Sequence, residues 1–170
     1  SSASDTSLGK FMVELIECVT YFCTAACIST LLSQFISGAV EWLSPDNDRD
    51  HWDIIEGQGS LFHPSFAGVS LGLLHGSQAD AFLVCHEPTR KKMRGVDTPI
   101  PSIQEIIDLT ISLGSLTNKK IQCVGIALNT SEMKEDPLTL KSSISNEFGL
   151  PCLDPIVDDL EPFINIIKRI

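Results

Sequence analysis

Residues 52–85, WDIIEGQGSLFHPSFAGVSLGLLHGSQADAFLVC, contain the pattern from which the fold is predicted. The stretch opens with a short, largely apolar run that predicts a buried strand ending at Glu56. A glycine-rich loop follows, and residues 66–74 predict a helix that ends at His75-Gly76, where a glycine suits a helix terminus. Residues 79–85 are apolar almost throughout, which is typical of a strand covered on both faces. Strand, helix and strand in this order predict a parallel β-α-β unit.

The same alternation continues to the end of the chain. Residues 121–128 predict a further buried strand, and Ser102 with Glu105 forms a capping box before a helix predicted over residues 103–116. The other predicted elements are helices over residues 11–32, 34–43, 135–148 and 161–170 and a short strand over residues 150–153. Together they predict an α/β fold of three layers, with helices on both faces of a mostly parallel sheet. Ligands of such sheets bind beyond the carboxyl ends of the strands.

Composition and charge restrict the class of protein and of partner. The 170 residues are 43% hydrophobic and 20% charged, which suits a single globular domain over residues 1–170. The net charge of −10 repels nucleic acid, so we expect no nucleic-acid partner, although a small anion can still bind a glycine loop. The six cysteines form no C-x-x-C pair and no zinc motif. We therefore expect no metal site, and reduced thiols in a cytoplasmic protein.

Residues 18–40 carry no charge, which raises the alternative of a membrane span. Several Thr and Ser side chains interrupt the apolar run, and the flanking residues are Glu17 and Glu41 rather than the Lys or Arg that anchors a span. We therefore expect a buried helix or helix pair here and no contact with a membrane.

Residues 3–10, ASDTSLGK, resemble the P-loop variant G-T-D-T-x-V-G-K-T of dethiobiotin-synthetase-like proteins. In such a loop, backbone N–H groups surround a phosphate and the lysine neutralises its charge, directly before a helix. The resemblance implies that Asp5, Gly9 and Lys10 bind the cofactor. Ala3 and Phe11 replace the first glycine and the Mg²⁺-binding Ser or Thr of the motif, and no strand precedes the loop. Nucleotide and Mg²⁺ binding both stay open.

Polar residues follow the predicted strands at the points where ligands bind such sheets. Glu56 precedes the loop Gly57-Gln58-Gly59, and a carboxylate there can act as a base or can cap the loop that follows it. The next strand is followed by His86 and Glu87, and the third by Asn129.

A basic segment follows His86 and Glu87 in the sequence. It contains Arg90, Lys91, Lys92 and Arg94, which suit an anionic substrate or a solvated surface loop. His63 and His75 flank a predicted helix, and each is a structural histidine or a general base. No G-x-S-x-G motif is present to support a serine nucleophile.

Longer runs of the sequence resemble one family of two-domain P-loop-fold proteins, long catalogued as a domain of unknown function. The resemblance covers residues 3–165 and is strongest over residues 36–155; it rests on SGAVEWLSPDNDRDHWDIIEGQGSLFHPSFAGVSLGLLHGSQAD, LVCHEPTR, IPSIQEIIDL, CVGIALNTS and GLPCLDP. The family includes the D-glutamate N-acetyltransferases. The family resemblance implies an amino-terminal Rossmann-like domain followed by a P-loop-type domain. This chain resembles an incomplete form of the second domain.

The resemblance implies that Lys10, Glu56, Gly57 and Gly59 line the phosphate region. It places the candidate histidines and arginines and Glu87 in family motifs without implying their individual roles. The residues implied to bind a cofactor are Asp5, Gly9, Lys10, Gly57, Gly59 and Asn129. The candidate catalytic residues are Glu56, His63, His86 and Glu87, and the candidate substrate-binding residues are Arg90 and Arg94.

Three hypotheses on function follow. The first is an N-acyltransferase that acetylates an acidic amino acid such as D-glutamate from acetyl-CoA, with activity impaired in this incomplete chain. The second is an ATP- or GTP-dependent P-loop enzyme related to dethiobiotin synthetase. The third is a non-catalytic remnant or interaction module, in which exposed apolar surface is covered by oligomerisation. The expected partners are a small anionic substrate and further copies of the chain.

Overall fold

Five parallel strands form one sheet in the structure, a computed structural model that describes residues 9–15, 35–48 and 51–170. The strands are β1 (Gly9–Leu15), β2 (Trp52–Glu56), β3 (Ala81–His86), β4 (Gln122–Leu128) and β5 (Cys152–Leu153). Their order across the sheet is β2-β1-β3-β4-β5, and every neighbouring pair is parallel. All five carboxyl ends therefore lie along the same edge, which we call the carboxyl edge.

Five helices connect or follow these strands within the described residues. They are α1 (Ile36–Leu43), α2 (Ala67–Ser77), α3 (Ile103–Gly114), α4 (Pro137–Phe148) and α5 (Glu161–Ile167). The predicted capping box starts α3, since the Ser102 hydroxyl accepts a hydrogen bond from the Glu105 N–H and the Glu105 carboxylate accepts one from the Ser102 N–H. The α/β class and the parallel sheet predicted from the sequence are confirmed.

The prediction of a helix starting at Phe11 is wrong over the described part of that segment. Gly9–Leu15 forms β1, which pairs with β2 on one side and β3 on the other. A short apolar run suits a buried strand as well as a buried helix, and periodicity alone does not separate the two. Pairing with two neighbouring strands decides the outcome here. The rest of the predicted helix, residues 16–32, lies outside the described residues.

Hydrophobic side chains cover both faces of the sheet. One face carries the larger core cluster, in which Phe82 and Val84 of β3 pack with residues of α2, α3 and α4. On the other face, Phe163 of α5 packs over Leu83 and Val124. The layers are therefore helices, sheet and helix, in agreement with the predicted three-layer arrangement.

Helix α1 packs closely along α2 because two positions of α2 are glycines. A Cβ atom at Gly76 would lie 2.3 Å from the carbonyl oxygen of Ser37, and one at Gly72 would lie 2.7 Å from Ile36. Glycine therefore permits a helix separation that any larger residue would prevent. The Ser44 hydroxyl after α1 also donates a hydrogen bond to Asp53 on β2.

None of the helices in the described ranges is long and apolar enough to cross a bilayer. The carboxy-terminal part of the uncharged stretch enters α1, and most of the stretch lies outside the described residues.

Candidate functional site

The predicted site residues that follow β2, β3 and β4 all lie at the carboxyl edge. Glu56 is the last residue of β2, His86 is the last of β3, and Asn129 directly follows β4. The Asn129 N–H donates a hydrogen bond of 2.9 Å to the carbonyl oxygen of His86, so these two residues are neighbours. This edge is where ligands of parallel α/β sheets bind.

The strand register separates Glu56 from His86. Glu56 of β2 and Leu83 of β3 both pair with Val13 of β1. Glu56 therefore lies level with Leu83, three residues before His86. Strands β2 and β3 are two strand spacings apart, about 10 Å. The two side chains thus belong to the same edge, but a ligand would have to extend across β1 to contact both.

His86 combines partial burial with an unused hydrogen-bonding atom. Its Nδ1 is the buried side-chain polar atom that has no hydrogen-bond partner in the part of the chain that the structure describes. Burial lowers the pKa of His86, and the nearby Glu87 carboxylate opposes that shift without reversing it. The imidazole is therefore neutral near pH 7, and its Nδ1 is buried without a partner.

Glu87 and Arg90 form a local ion pair directly after His86. The Arg90 guanidinium lies 2.6 Å from one carboxylate oxygen of Glu87, and the Thr89 hydroxyl donates a hydrogen bond of 2.9 Å to the other. Both oxygens of Glu87 are therefore engaged within the sequence EPTR. This arrangement suits fixing the turn after β3 better than abstracting a proton from a substrate.

Residues 87–100, which we call the basic loop, form a small hairpin at the carboxyl edge. The Met93 N–H donates to the Thr98 carbonyl at 2.8 Å, and the Ile100 N–H donates to the Lys91 carbonyl at 3.2 Å. Gly95 has φ +75°, which allows the turn at the tip. Met93 is buried and Arg94 is exposed beside it, so the loop is anchored by an apolar side chain and presents a basic one.

His63 connects the basic loop to the segment after the glycines. The His63 Nε2 lies 3.0 Å from the carbonyl oxygen of Arg94, and the His63 Nδ1 accepts a hydrogen bond of 3.1 Å from the Ser65 N–H. Since both ring nitrogens have partners, neither is available in this structure to accept a substrate proton. His75 likewise bonds the carbonyl oxygen of Leu113, at 3.0 Å, between α2 and α3.

The loop Gly57-Gln58-Gly59, which we call the glycine loop, is held against α2. The buried Ser70 hydroxyl donates a hydrogen bond of 2.7 Å to the carbonyl oxygen of Gln58. Gly59 has φ +67°, a conformation that favours glycine. A Cβ at Gly59 would also touch Phe66 at 3.4 Å. The loop is thus fixed in one conformation beside Glu56.

A buried polar network beside Asn129 was not predicted from the sequence. Asp154, which follows β5, accepts hydrogen bonds from the N–H and hydroxyl of Thr130, and its own N–H donates to Asp158 at 2.8 Å. Asp158 also accepts two hydrogen bonds, of 2.6 and 2.8 Å, from the buried Lys141 ammonium. The sequence signal for this network was Asp154, a polar residue between the short strand and Pro155. The contact of Asp158 with Lys141 on α4 joins distant parts of the chain, so it had no local signal.

The thiol nearest this network is unsuited to nucleophilic chemistry. Burial raises the pKa of Cys152 to about 12, although the Lys141 charge acts in the opposite direction. Cys152 is therefore a protonated thiol at neutral pH.

The residues predicted to bind phosphate lie elsewhere. Gly9 and Lys10 begin β1 and pair with Trp52 and Asp53, at the edge opposite to His86 and Asn129. Since their backbones belong to the sheet, these two residues do not form a phosphate-binding loop before a helix. Asp5 lies outside the described residues. Among the residues that are described, no cluster of three metal-ligating side chains occurs.

Comparison with known proteins identifies a matching family and similar curated proteins. The model of the "Domain of unknown function (DUF1611_C) P-loop domain" family matches residues 24–164. A D-glutamate N-acetyltransferase from a Pseudoalteromonas species is 51% identical over 139 residues, covering 81% of this chain and 42% of that protein. Another, from Tritonibacter scottomollicae, is 45% identical over 130 residues, covering 75% and 39%. The chain thus spans about two fifths of the length of these curated relatives.

A solved structure agrees with the fold. The crystal structure of a DUF1611 family protein from Anabaena variabilis superposes with a TM-score of 0.69 at 30% sequence identity, over 79% of this chain and 40% of that protein.

Proposed function

The chain belongs to the DUF1611_C family of P-loop domains, and we propose that it forms part of an enzyme that transfers the acetyl group of acetyl-CoA to the amino group of D-glutamate. The observation that carries this proposal is the 51% identity, over 139 residues, to a D-glutamate N-acetyltransferase. The residues that the family model matches, 24–164, include His86 and the basic loop.

The reaction needs a base for the substrate ammonium group. In the proposed step, the ammonium nitrogen loses a proton to the His86 imidazole, and the free amine attacks the carbonyl carbon of the thioester. The nitrogen of the tetrahedral intermediate then loses its second proton, the C–S bond breaks, and coenzyme A leaves as a thiolate that takes up that proton. His86 suits the first step because its imidazole is neutral near pH 7 and only partly buried, at the carboxyl edge.

Transfer is direct in this proposal. A covalent acetyl-enzyme would need an activated nucleophile, and the high pKa of Cys152, about 12, makes that thiol unsuitable.

The basic loop supports an acidic substrate. D-Glutamate carries two carboxylates, and guanidinium groups bind carboxylates through paired hydrogen bonds. Arg94 is exposed at the tip of the basic loop, and the Arg90 guanidinium lies 2.6 Å from Glu87. We therefore propose Arg94 as the principal contact with a substrate carboxylate and Arg90 as a part of the loop framework.

Nucleotide and Mg²⁺ enter no step of this proposal. Gly9 and Lys10 lie within β1, at the edge away from His86, so these two residues do not fit a phosphate-binding loop.

The test uses the full natural protein in which this chain occurs. Release of the coenzyme A thiol is followed with acetyl-CoA and D-glutamate, and with L-glutamate as the control substrate. We expect turnover with D-glutamate, unchanged by added ATP. In the His86→Gln variant, kcat should fall by about 10²- to 10⁴-fold, the usual contribution of a general base.

The matched control is His51→Gln. His51 is exposed, its Nε2 lies 2.8 Å from a carboxylate oxygen of Asp53, and it precedes β2 at the opposite edge of the sheet. It should leave kcat unchanged. Absence of turnover by the wild type would refute the acetyltransferase proposal, and equal kcat values for the two variants would refute the role of His86.

A further inference from the structure

We infer that His63 is a positioning residue, which holds the tip of the basic loop so that Arg94 faces the anionic substrate. The inference rests on the proposed function, because it assigns Arg94 the role of a substrate contact. It differs from the sequence-based expectation, in which His63 was itself a candidate catalytic residue.

The hydrogen bonds fix the tautomer of His63. The Ser65 N–H points at Nδ1 from 3.1 Å, so that nitrogen carries a lone pair rather than a proton. The proton of the neutral ring is then on Nε2, which donates to the carbonyl oxygen of Arg94 at 3.0 Å. A ring with one donor and one acceptor matches this pair of partners completely.

Burial keeps His63 away from any substrate. Only 2% of its surface is exposed, and its ring lies against the Phe66 ring with centroids 4.7 Å apart. A substrate ammonium could not reach Nδ1 or Nε2 without displacing Ser65 or Arg94. His63 can therefore affect the reaction through the loop and not through proton transfer.

The His63 hydrogen bond is made to the backbone of Arg94, at the tip of the basic loop. One hydrogen bond from Met93 to Thr98 and one from Ile100 to Lys91 hold the two arms of the hairpin together. The buried Met93 side chain anchors the hairpin to the protein. The His63 bond to the Arg94 carbonyl adds a directional contact at the tip, from a segment 31 residues earlier in the chain. It sets the backbone position of Arg94 while its side chain stays exposed.

Two variants and one matched control test this inference in the full natural protein. His63→Leu removes the donor, whereas in His63→Gln the amide nitrogen can replace Nε2–H. The control is His75→Leu, which removes another histidine-to-carbonyl hydrogen bond, the one between α2 and α3.

We expect His63→Leu to raise KM for D-glutamate by on the order of tenfold, as for loss of one oriented charged contact, with kcat nearly unchanged. His63→Gln should restore most of the lost KM, and His75→Leu should not change KM. A large fall in kcat in both His63 variants would instead identify His63 as a base and overturn the inference.

A second readout does not need activity. Trypsin cleaves after Lys and Arg, and the basic loop contains the exposed Lys91, Lys92 and Arg94. Under native conditions, His63→Leu should be cut in this loop several times faster than the wild type, while His75→Leu should not. Equal cleavage rates in the wild type and His63→Leu would overturn the inference. If the wild type fails to acetylate D-glutamate but the loop is cut faster in His63→Leu, the proposed function fails. The inference that His63 holds the basic loop in place is then still supported.

Discussion

Gly125 shows how a single missing side chain determines the packing of one face of the sheet. A Cβ atom at this position would lie 2.4 Å from the Phe163 ring, which is well inside normal contact distance. Phe163 is the buried anchor of α5 in the smaller core cluster. The absence of a side chain on β4 therefore lets α5 approach the sheet.

We expect Gly125→Ala to lower the free energy of unfolding by about 1–3 kcal/mol, the usual cost of overpacking a core. The added methyl group must displace Phe163 or bend β4, and both moves disturb close packing. Urea unfolding followed by circular dichroism measures the change. Gly68→Ala is the control, because a Cβ there meets nothing within 4 Å. Loss of stability in the control as large as in Gly125→Ala would contradict this explanation.

At the same scale, the sequence predicted the places of the site residues better than their roles. Glu56, His86 and Asn129 lie at the carboxyl edge as predicted, because position relative to a strand end can be read from local apolar runs. The partners of His63 could not be predicted. They depend on a contact between residues 31 positions apart, for which the sequence carries no local signal.

Among the secondary-structure elements, α4 is tied to the segment after β5 by one ion pair. Lys141 of α4 is 7% exposed and donates both of its short hydrogen bonds to Asp158. Asp158 is less buried and also accepts the Asp154 N–H. The two partners therefore differ in what each would lose if left alone.

Asp158→Asn should destabilise the protein by about 3 kcal/mol, since it leaves a buried ammonium without a counter-charge. Lys141→Met should cost less, on the order of 1 kcal/mol, because the remaining carboxylate can reach water and the methionine fills the buried volume. Chemical denaturation of both variants gives the comparison. A larger loss for Lys141→Met than for Asp158→Asn would contradict the difference in burial on which this prediction depends.

Element prediction succeeded where the hydrophobic pattern had flanking signals. Helix α3 has a capping box, and strands β3 and β4 are bounded by polar turns, so their predicted limits agree with the structure to within about two residues. Strand β1 lacked such signals. Its type was decided by pairing with β2 and β3, which is a property of the sheet and not of the segment.

For the molecule as a whole, stability should depend on pH through groups at the carboxyl edge. Burial lowers the pKa of His86 from 6.5, so the unfolded chain binds a proton near that pH that the folded chain does not bind. Burial opposes ionisation of Asp154, but hydrogen bonds from Thr130 and Ile156 outweigh it and lower its pKa. The hydrogen bond from Lys141 lowers the pKa of Asp158. In all three cases the unfolded state binds more protons, so acid favours unfolding.

The contribution of His86 can be separated from that of the carboxylates because it occurs at higher pH. The stability linked to His86 is complete above about pH 6.5 and is lost as the pH falls toward the lower pKa of the folded state. The contributions of the Asp154 and Asp158 carboxylates are lost only below 3.8, the pKa of these groups in the unfolded chain.

We therefore expect the free energy of unfolding to fall between about pH 7.5 and pH 5. It should fall less in His86→Gln, which has no group to protonate at this position. Urea titrations of both proteins across this range measure the difference in slope. Identical slopes would mean that His86 is protonated equally well in the folded and unfolded chains, which would also remove the basis for its role as a neutral base.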